Sequence, residues 1–197
     1  MSDRTTKERI LDAAEALMIE KSFHSVGLNE ILGAVKVPKG SFYHYFTSKE
    51  QFGVEMLKHY VASASVYKRR MLLEATSEPD PLQRLMTYLE VNVAKMCENE
   101  GKCPCLVVKL ASEVADMSEP MREVLAAGQV EWGQVMEELL REGVQTGHIS
   151  RTIDPKRTAS TIWDLWGGAM QRAAIQRNVA PLRDAINFIR AQLAPPV

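Results

Sequence analysis

The sequence is short of cysteine, of long apolar runs and of net charge, and each shortage removes a class of protein. Three cysteines in 197 residues are odd in number and too few for a disulfide scaffold, which points to a reducing, cytoplasmic setting. No stretch reaches the roughly 18 uninterrupted apolar residues that cross a bilayer, so no membrane partner is expected. The opening Met1-Ser2-Asp3-Arg4-Thr5 is polar where a secretory signal would begin its apolar core, so no signal peptide is expected. With 24 Lys and Arg against 25 Asp and Glu the net charge is −1, which excludes a uniformly basic nucleic-acid coat but leaves room for a local basic face. Enzyme signatures are missing too: there is no G-x-S-x-G, no P-loop and no G-x-G-x-x-G. Cys97, Cys103, Cys105 and His148 lack zinc spacing. Neither a metal, a cofactor nor a catalytic centre is therefore expected. A nucleophile–base pair of Cys105 with His24, His44, His59 or His148 is the residual enzyme candidate, and three of those histidines lie in the first third of the chain.

What is present is helix, from end to end. Apolar residues make up 46% and charged residues 25%, ordinary globular values. Thr5-x-x-Glu8 fits a capping box ahead of Ile10, Ala13, Ala14, Leu17 and Met18 at helical spacing. Leu28, Ile31, Leu32 and Val35 give a second, short helix, and Phe42 and Phe46 mark a third after Pro38. Thr47 with Glu50 and Ser48 with Gln51 make two overlapping capping boxes. Behind them a long helix runs through Phe52, Met56, Tyr60 and Tyr67 to about Ala75. The prolines of Glu78-Pro79-Asp80-Pro81 punctuate the chain. Leu82 to Val93 resume the 3.6 period, up to Gly101 as a C-cap. Pro104 is placed in the first turn of the next helix. Ser118-Glu119-Pro120, Asp154-Pro155 and Pro181 open three more. The expectation is an all-α fold of about nine helices.

Residues 27–46, GLNEILGAVKVPKGSFYHYF, carry the functional signal. Two short helices joined by a tight turn suit a helix-turn-helix, in which one helix braces while the other enters the major groove. On the second helix Phe42 and Phe46 share the inward side. Gly40, Ser41, Tyr43 and His44 occupy the remaining arc, where backbone, hydroxyl and imidazole can meet phosphates or base edges. No acidic residue lies between Glu30 and Glu50, whereas Lys36, Lys39 and Lys49 do. Eight basic and eight acidic residues balance over the first sixty, so any electrostatic footprint is local. A helix pair with exposed aromatics and three lysines also occurs in helical domains that never touch DNA.

The run PKGSFYHYFTSKEQF closely resembles the recognition helix and following cap of TetR-family transcriptional repressors, with their K-G-[ST]-[LF]-Y-x-[YH]-F and x-S-K-E pattern. The amphipathic first helix, the chain length and the helix count also match, and the resemblance is strong over residues 5–60. It implies a DNA-binding head in residues 1–50, with a fourth helix from about 48 linking it to a regulatory and dimerising part in 51–197. It further implies that Lys39, Gly40, Ser41, Tyr43, His44 and Tyr45 are the recognition-helix contacts. Tyr43, Tyr45, Lys39 and Lys49 are assigned to phosphates, and Ser41 and His44 to base edges. Three departures stand out. Lys36 replaces the small residue of the turn, which costs about 1 kcal/mol if its backbone is left-handed. Pro38 replaces the capping Ser or Thr of the recognition helix, and Gly27 replaces that of the helix before it.

The implied partners are a double-stranded DNA operator of near-palindromic sequence, a second copy of the chain, and a small-molecule or electrophile inducer. Pairing is expected through the last two helices, about 155–194, where Gly167 and Gly168 permit close approach beside Trp163, Trp166 and Ile175. Trp163 and Trp166 as plain core is the equal alternative. Tyr60, Met86, Trp163, Trp166 and Met170 are the candidate ligand-pocket residues, with methionine serving as adaptable lining.

Gly101-Lys102-Cys103-Pro104-Cys105-Leu106 is the unusual local chemistry. Cys105 in the first turn of a helix, with Lys102 and Lys109 nearby, meets the conditions that make a thiol reactive. Cys103 lies too close in sequence for an unstrained bridge, so Cys97 is the better resolving partner. Equally, a lone cysteine is often a small buried apolar residue. The run CLVVKLASEV resembles a TetR subgroup with G-C-L at this helix start, some members of which answer to electrophiles or oxidants through that cysteine. Here Pro104 replaces the glycine. By the same resemblance, modification is expected to shift the fourth helix and change the separation of two recognition helices.

Overall fold

In the computed structural model, which describes residues 5–21, 23, 25–75 and 77–195, nine α-helices and no strands are found among the described residues. Their order is α1 (Thr6–Glu20), α2 (Leu28–Val35), α3 (Lys39–Tyr45), α4 (Lys49–Leu72), α5 (Pro81–Glu98), α6 (Leu106–Ala115), α7 (Glu119–Thr146), α8 (Pro155–Gln176) and α9 (Ala180–Leu193). The expected all-α fold and helix count hold.

The caps explain most boundaries. The Thr5 hydroxyl accepts the Glu8 N–H at 3.2 Å, and the Glu8 carboxylate accepts the Thr5 N–H at 2.8 Å. These two bonds close the capping box of α1; the Glu8 carboxylate, accepting from the Thr5 N–H and, at 2.9 Å, from the Thr5 hydroxyl, is held below its usual range. Ser48 caps α4 by accepting the Gln51 N–H at 3.0 Å. The return half of that box is missing, since the buried Gln51 Oε1 has no hydrogen-bond partner among the described residues, and Glu50 of the Thr47 box spends its carboxylate on the Ser118 hydroxyl at 2.6 Å. Asp80 caps α5 and Asp154 caps α8, each with a proline in the first turn. At the end of α5 the cap is Asn99, not glycine. Glu100 and Gly101 follow with φ of 52° and 74°, and the Gly101 N–H returns to the Met96 carbonyl.

Pro104 does not open α6, contrary to the sequence expectation. The residue before a proline is pushed towards extended backbone, and the chain remains extended through Cys105 (φ −101°, ψ 112°). Cys105 is therefore the N-cap, and its carbonyl accepts the first intrahelical bond, from Lys109. Helix α4 likewise stops at Leu72, three residues short of the expected Ala75.

The described chain packs as two compact units. One takes the chain up to Ser63 together with Cys105–Ala127; the other takes Ala64–Pro104 and Gly128–Val197. Residues 51–63 and 105–127 pack with the N-terminal helices, α1 lying on α6 as well as on α2. The first unit has a core of Ile10, Met18, Ile31, Phe46, Met56, Leu57, Leu106 and Leu110. Gly53 admits close approach there: a Cβ on it would stand 2.8 Å from the Phe23 ring and 2.9 Å from Met121.

In the second unit α5 packs on α9 and α9 on α8. Its core holds Leu85, Met86, Leu89, Trp132, Leu139, Trp166, Ile186 and Leu193. Two cations are buried there. Arg84 donates to the Leu73 carbonyl at 3.3 Å and pairs with Glu142 at 2.5 Å. The Lys68 amine lies 3.5 Å from the centre of the Trp132 ring and 5.9 Å from that of Trp163.

Candidate nucleic-acid interface and neighbouring cysteine

Helix α3 is only seven residues long, so its position is set by what it is packed on rather than by its own propensity. Phe42 is 2% exposed and Phe46 fully buried. Their rings meet Phe52 of α4 at centroid distances of 5.2 and 5.0 Å, and each other at 4.9 Å. This aromatic triad seats α3 on α4. The opposite arc faces outward as expected: Lys39, Gly40 and His44 are exposed, Tyr43 is 58% exposed, and Ser41 and Tyr45 are half-buried.

The turn before α3 has the conformation that its sequence makes costly. Lys36 caps α2 in the left-handed region, with φ 54° and ψ 44°. Val37 and Lys36 return their N–H groups to Leu32 and Gly33. Neither Gly27 nor Pro38 contributes a side-chain cap to the helix it precedes. Arg9 of α1 compensates at the other end of α2, donating to the Val35 carbonyl at 2.8 Å. Sequence reading missed that contact because nothing local marks a bond across 26 residues.

A groove of about 370 Å³ opens beside the turn, lined by Asn29, Leu32, Gly33, Lys36, Val37, Pro38 and Lys39. Lys36 and Lys39 were expected at this surface; Asn29 and Gly33 were not, since α2 was treated as a brace. The acidic residues that bracket the region are engaged elsewhere, Glu30 with Lys21 and Glu50 with Ser118. Lys49 is exposed at the start of α4, with its amine 5.4 Å from the centre of the Phe23 ring. The structure thus brings Lys36, Lys39, Gly40, Ser41, Tyr43, His44, Tyr45 and Lys49 into one short stretch of the first unit, with their backbones held from behind by buried aromatics.

Cys105 belongs to the same unit. It is half-buried, and its sulfur makes no capping bond to α6. The Tyr60 hydroxyl of α4 donates to the Cys105 sulfur at 3.5 Å and accepts the Leu106 N–H at 3.2 Å. Burial and the adjacent thiol push the Tyr60 hydroxyl well above the usual tyrosine range. Tyr60, expected in a ligand pocket, is thus a partner of the cysteine. Next to Tyr60 in sequence, His59 bonds Asp12 of α1 at 2.8 Å, and burial raises the Glu15 carboxyl above its usual range. Cys103 is buried and Cys97 exposed, both in the second unit.

The histidines invoked for an enzyme have other roles: His44 lies on the exposed arc of α3, His59 holds Asp12, and His148 bonds Thr146. His24 lies outside the described residues. The other pocket candidates fall in the second unit. Met86, Trp166 and Met170 are core side chains, and half-buried Trp163 donates to the Trp132 carbonyl at 3.1 Å. Among the described residues no helix is long and apolar enough to cross a membrane.

Comparison with known proteins agrees with this arrangement. The family profile described as bacterial regulatory proteins, tetR family, matches residues 10–56, and that of the tetracyclin repressor-like C-terminal domain matches residues 81–189. The chain is 34% identical over 196 residues to the HTH-type transcriptional repressor NemR of Escherichia coli, covering 99% of this chain and 97% of that protein. The crystal structure of reduced NemR superposes with a TM-score of 0.88 at 32% identity, covering 98% of this chain and all of that one. The transcriptional regulator AcuR of Cereibacter sphaeroides is 34% identical over 167 residues, 84% of this chain and 74% of AcuR. A cysteine mutant of the TetR-family regulator CifR, solved with 26-bp double-strand operator DNA, shares the fold at a TM-score of 0.78 and 21% identity, covering 98% of this chain and 99% of that one.

Proposed function

Since the chain belongs to the TetR family of DNA-binding bacterial regulators, we propose that it works as a homodimeric repressor, released from a near-palindromic operator by a small molecule or by modification of Cys105. It is a transcription regulator, not an enzyme. The observation that carries the DNA reading is the two-sidedness of α3, with Phe42 and Phe46 buried and Lys39, Gly40, Tyr43 and His44 exposed. Tyr43, Tyr45, Lys36, Lys39 and Lys49 meet phosphates, and Ser41 and His44 meet base edges. The protein acts where the chromosome is, in the cytoplasm.

Pairing through α8 and α9 is supported by their exposed apolar residues. Ile175 is 82% exposed and Phe188 54% exposed, and a Cβ on Gly167 or Gly168 would meet nothing within 4 Å. Two copies then present their recognition helices about 34 Å apart, one turn of DNA. Cys105 is supported as the responsive thiol by its half-exposure at a helix start and by the hydroxyl donor beside it. A soft electrophile adds across its double bond: the sulfur–carbon bond forms, and the proton leaving sulfur ends on the neighbouring carbon.

Binding to DNA from upstream of its own gene, measured across a salt series, tests the first claim. Affinity falls steeply with salt, at about 0.9 in log–log slope per phosphate contact; a flat salt response refutes DNA binding through these lysines. Alkylation with N-ethylmaleimide tests the second. Cys105 reacts and operator affinity drops, whereas Cys105→Ala no longer responds. An unchanged response in Cys105→Ala shifts the inducer to a reversible ligand.

A further inference from the structure

Three bonds fasten α6 and the start of α7 onto the DNA-binding helices. Lys109 donates to the Ile19 carbonyl at the end of α1. The Glu113 carboxylate accepts the Phe23 N–H at 3.3 Å. The Ser118 hydroxyl donates to Glu50, the residue after Lys49 at the start of α4. None of these involves sulfur. A further tie is the Tyr60 hydroxyl, a single oxygen that donates to the Cys105 sulfur and accepts the first N–H of α6. Because Cys105 makes no side-chain cap of its own, Tyr60 caps α6 from outside, and it does so from the middle of α4. Lys49 lies eleven residues back along that helix, about 16 Å away.

We propose that Tyr60 is the residue through which α4 reads the chemical state of Cys105. The inference rests on the assignment of Cys105 as the responsive thiol and adds how its modification reaches the DNA-binding helices. A substituent on sulfur occupies the space of the hydroxyl and weakens the acceptor, so the phenol loses one of its two bonds and α4 is freed from α6 at this point. The phenol does not relieve the conflict by ionising, since burial alone raises it above the usual tyrosine range. The bonds of Lys109, Glu113 and Ser118 involve no sulfur and persist, so the change starts at the contact between α4 and the start of α6. Tyr60 is thus a positioning residue: it acts on DNA only through the helix that carries it.

The decisive quantity is the ratio of operator affinities before and after alkylation by N-ethylmaleimide, in full-length protein carrying Cys97→Ser and Cys103→Ala so that Cys105 alone reacts. In that parent the affinity falls about tenfold, a usual size for coupling between sites. In Tyr60→Phe, alkylated to the same stoichiometry by mass spectrometry, the two affinities agree within about twofold. A hydroxyl that merely helps the fold would change the melting temperature and leave the ratio at the parent value, and that result overturns the proposal. An unresponsive parent removes the assignment of Cys105 itself, and this inference with it. Should Tyr60→Phe fail to fold, the sulfur side decides. Cys105→Ser keeps an acceptor for Tyr60 and retains operator binding, whereas Cys105→Val lacks one and binds like the alkylated parent. Equal affinities of those two variants also overturn it.

Discussion

Lys36→Gly should move stability and DNA affinity in opposite directions. Lys36 stands at φ 54° and ψ 44°, a region that costs a residue with a Cβ about 1–2 kcal/mol. Glycine relieves that cost but gives the unfolded chain extra freedom, a loss of about 0.4–1 kcal/mol. The net effect is a gain of about 0.5–1 kcal/mol, or roughly 1–4 °C in melting temperature for a chain of this length. The same change deletes an ammonium that lines the groove beside α3. If that ammonium neutralises one phosphate per half-site, the log–log salt dependence of operator binding becomes shallower by about 0.9 per half-site. Thermal melting and fluorescence anisotropy on one protein preparation measure both. A variant that melts lower than the parent refutes the strain reasoning, and one with the parent's salt slope removes Lys36 from the phosphate contacts.

Three further outcomes follow from the packing. Phe42→Ala removes the ring that meets both Phe46 and Phe52; chemical denaturation should show a loss of about 3–5 kcal/mol, with operator binding abolished. Gly53→Ala sets a methyl against the Phe23 ring and Met121, so denaturation should show a loss of about 1–3 kcal/mol; a neutral result means the two side chains yield freely. Burial raises the Glu15 carboxyl above its usual range, so its favourable contribution is present at low pH and is lost as pH rises through the raised value. Glu15→Gln should therefore stabilise the protein at neutral pH and leave it unchanged below the ordinary glutamate range; equal stability at both pH values contradicts the burial argument.

The recognition helix was legible because its signals are local. Phe42 and Phe46 lie four residues apart, Pro38 stands in front, and Lys36, Lys39 and Lys49 occur in a stretch without acids. At Lys36 the sequence showed a bulky residue where a small one is usual, with a cost if its backbone were left-handed, and the cap does take that conformation. The start of α6 was misread because Pro104 was weighed only for what it permits in a first turn and not for the extended backbone it imposes on Cys103. The partner of Cys105 was invisible for a different reason. Tyr60 lies 45 residues away, and no periodicity on α4 distinguishes an aromatic that lines a cavity from one that spends its hydroxyl on another helix. Trp166 shows the same limit in reverse: its spacing suited a partner surface and a core equally, and only the packing of α8 turned it inward.

The unit that carries α3 is assembled from two separate lengths of chain, with forty-one intervening residues, Ala64–Pro104, folded elsewhere. The simplest hybrid regulator would join a head to a foreign body at one seam. For this chain a single crossover after Ser63 would transplant a head stripped of Lys109, Glu113 and Ser118, the side chains that grip Ile19, Phe23 and Glu50. A working graft has to carry Cys105–Ala127 across as well, which requires three seams instead of one. Cys105 therefore travels with the head in any such exchange.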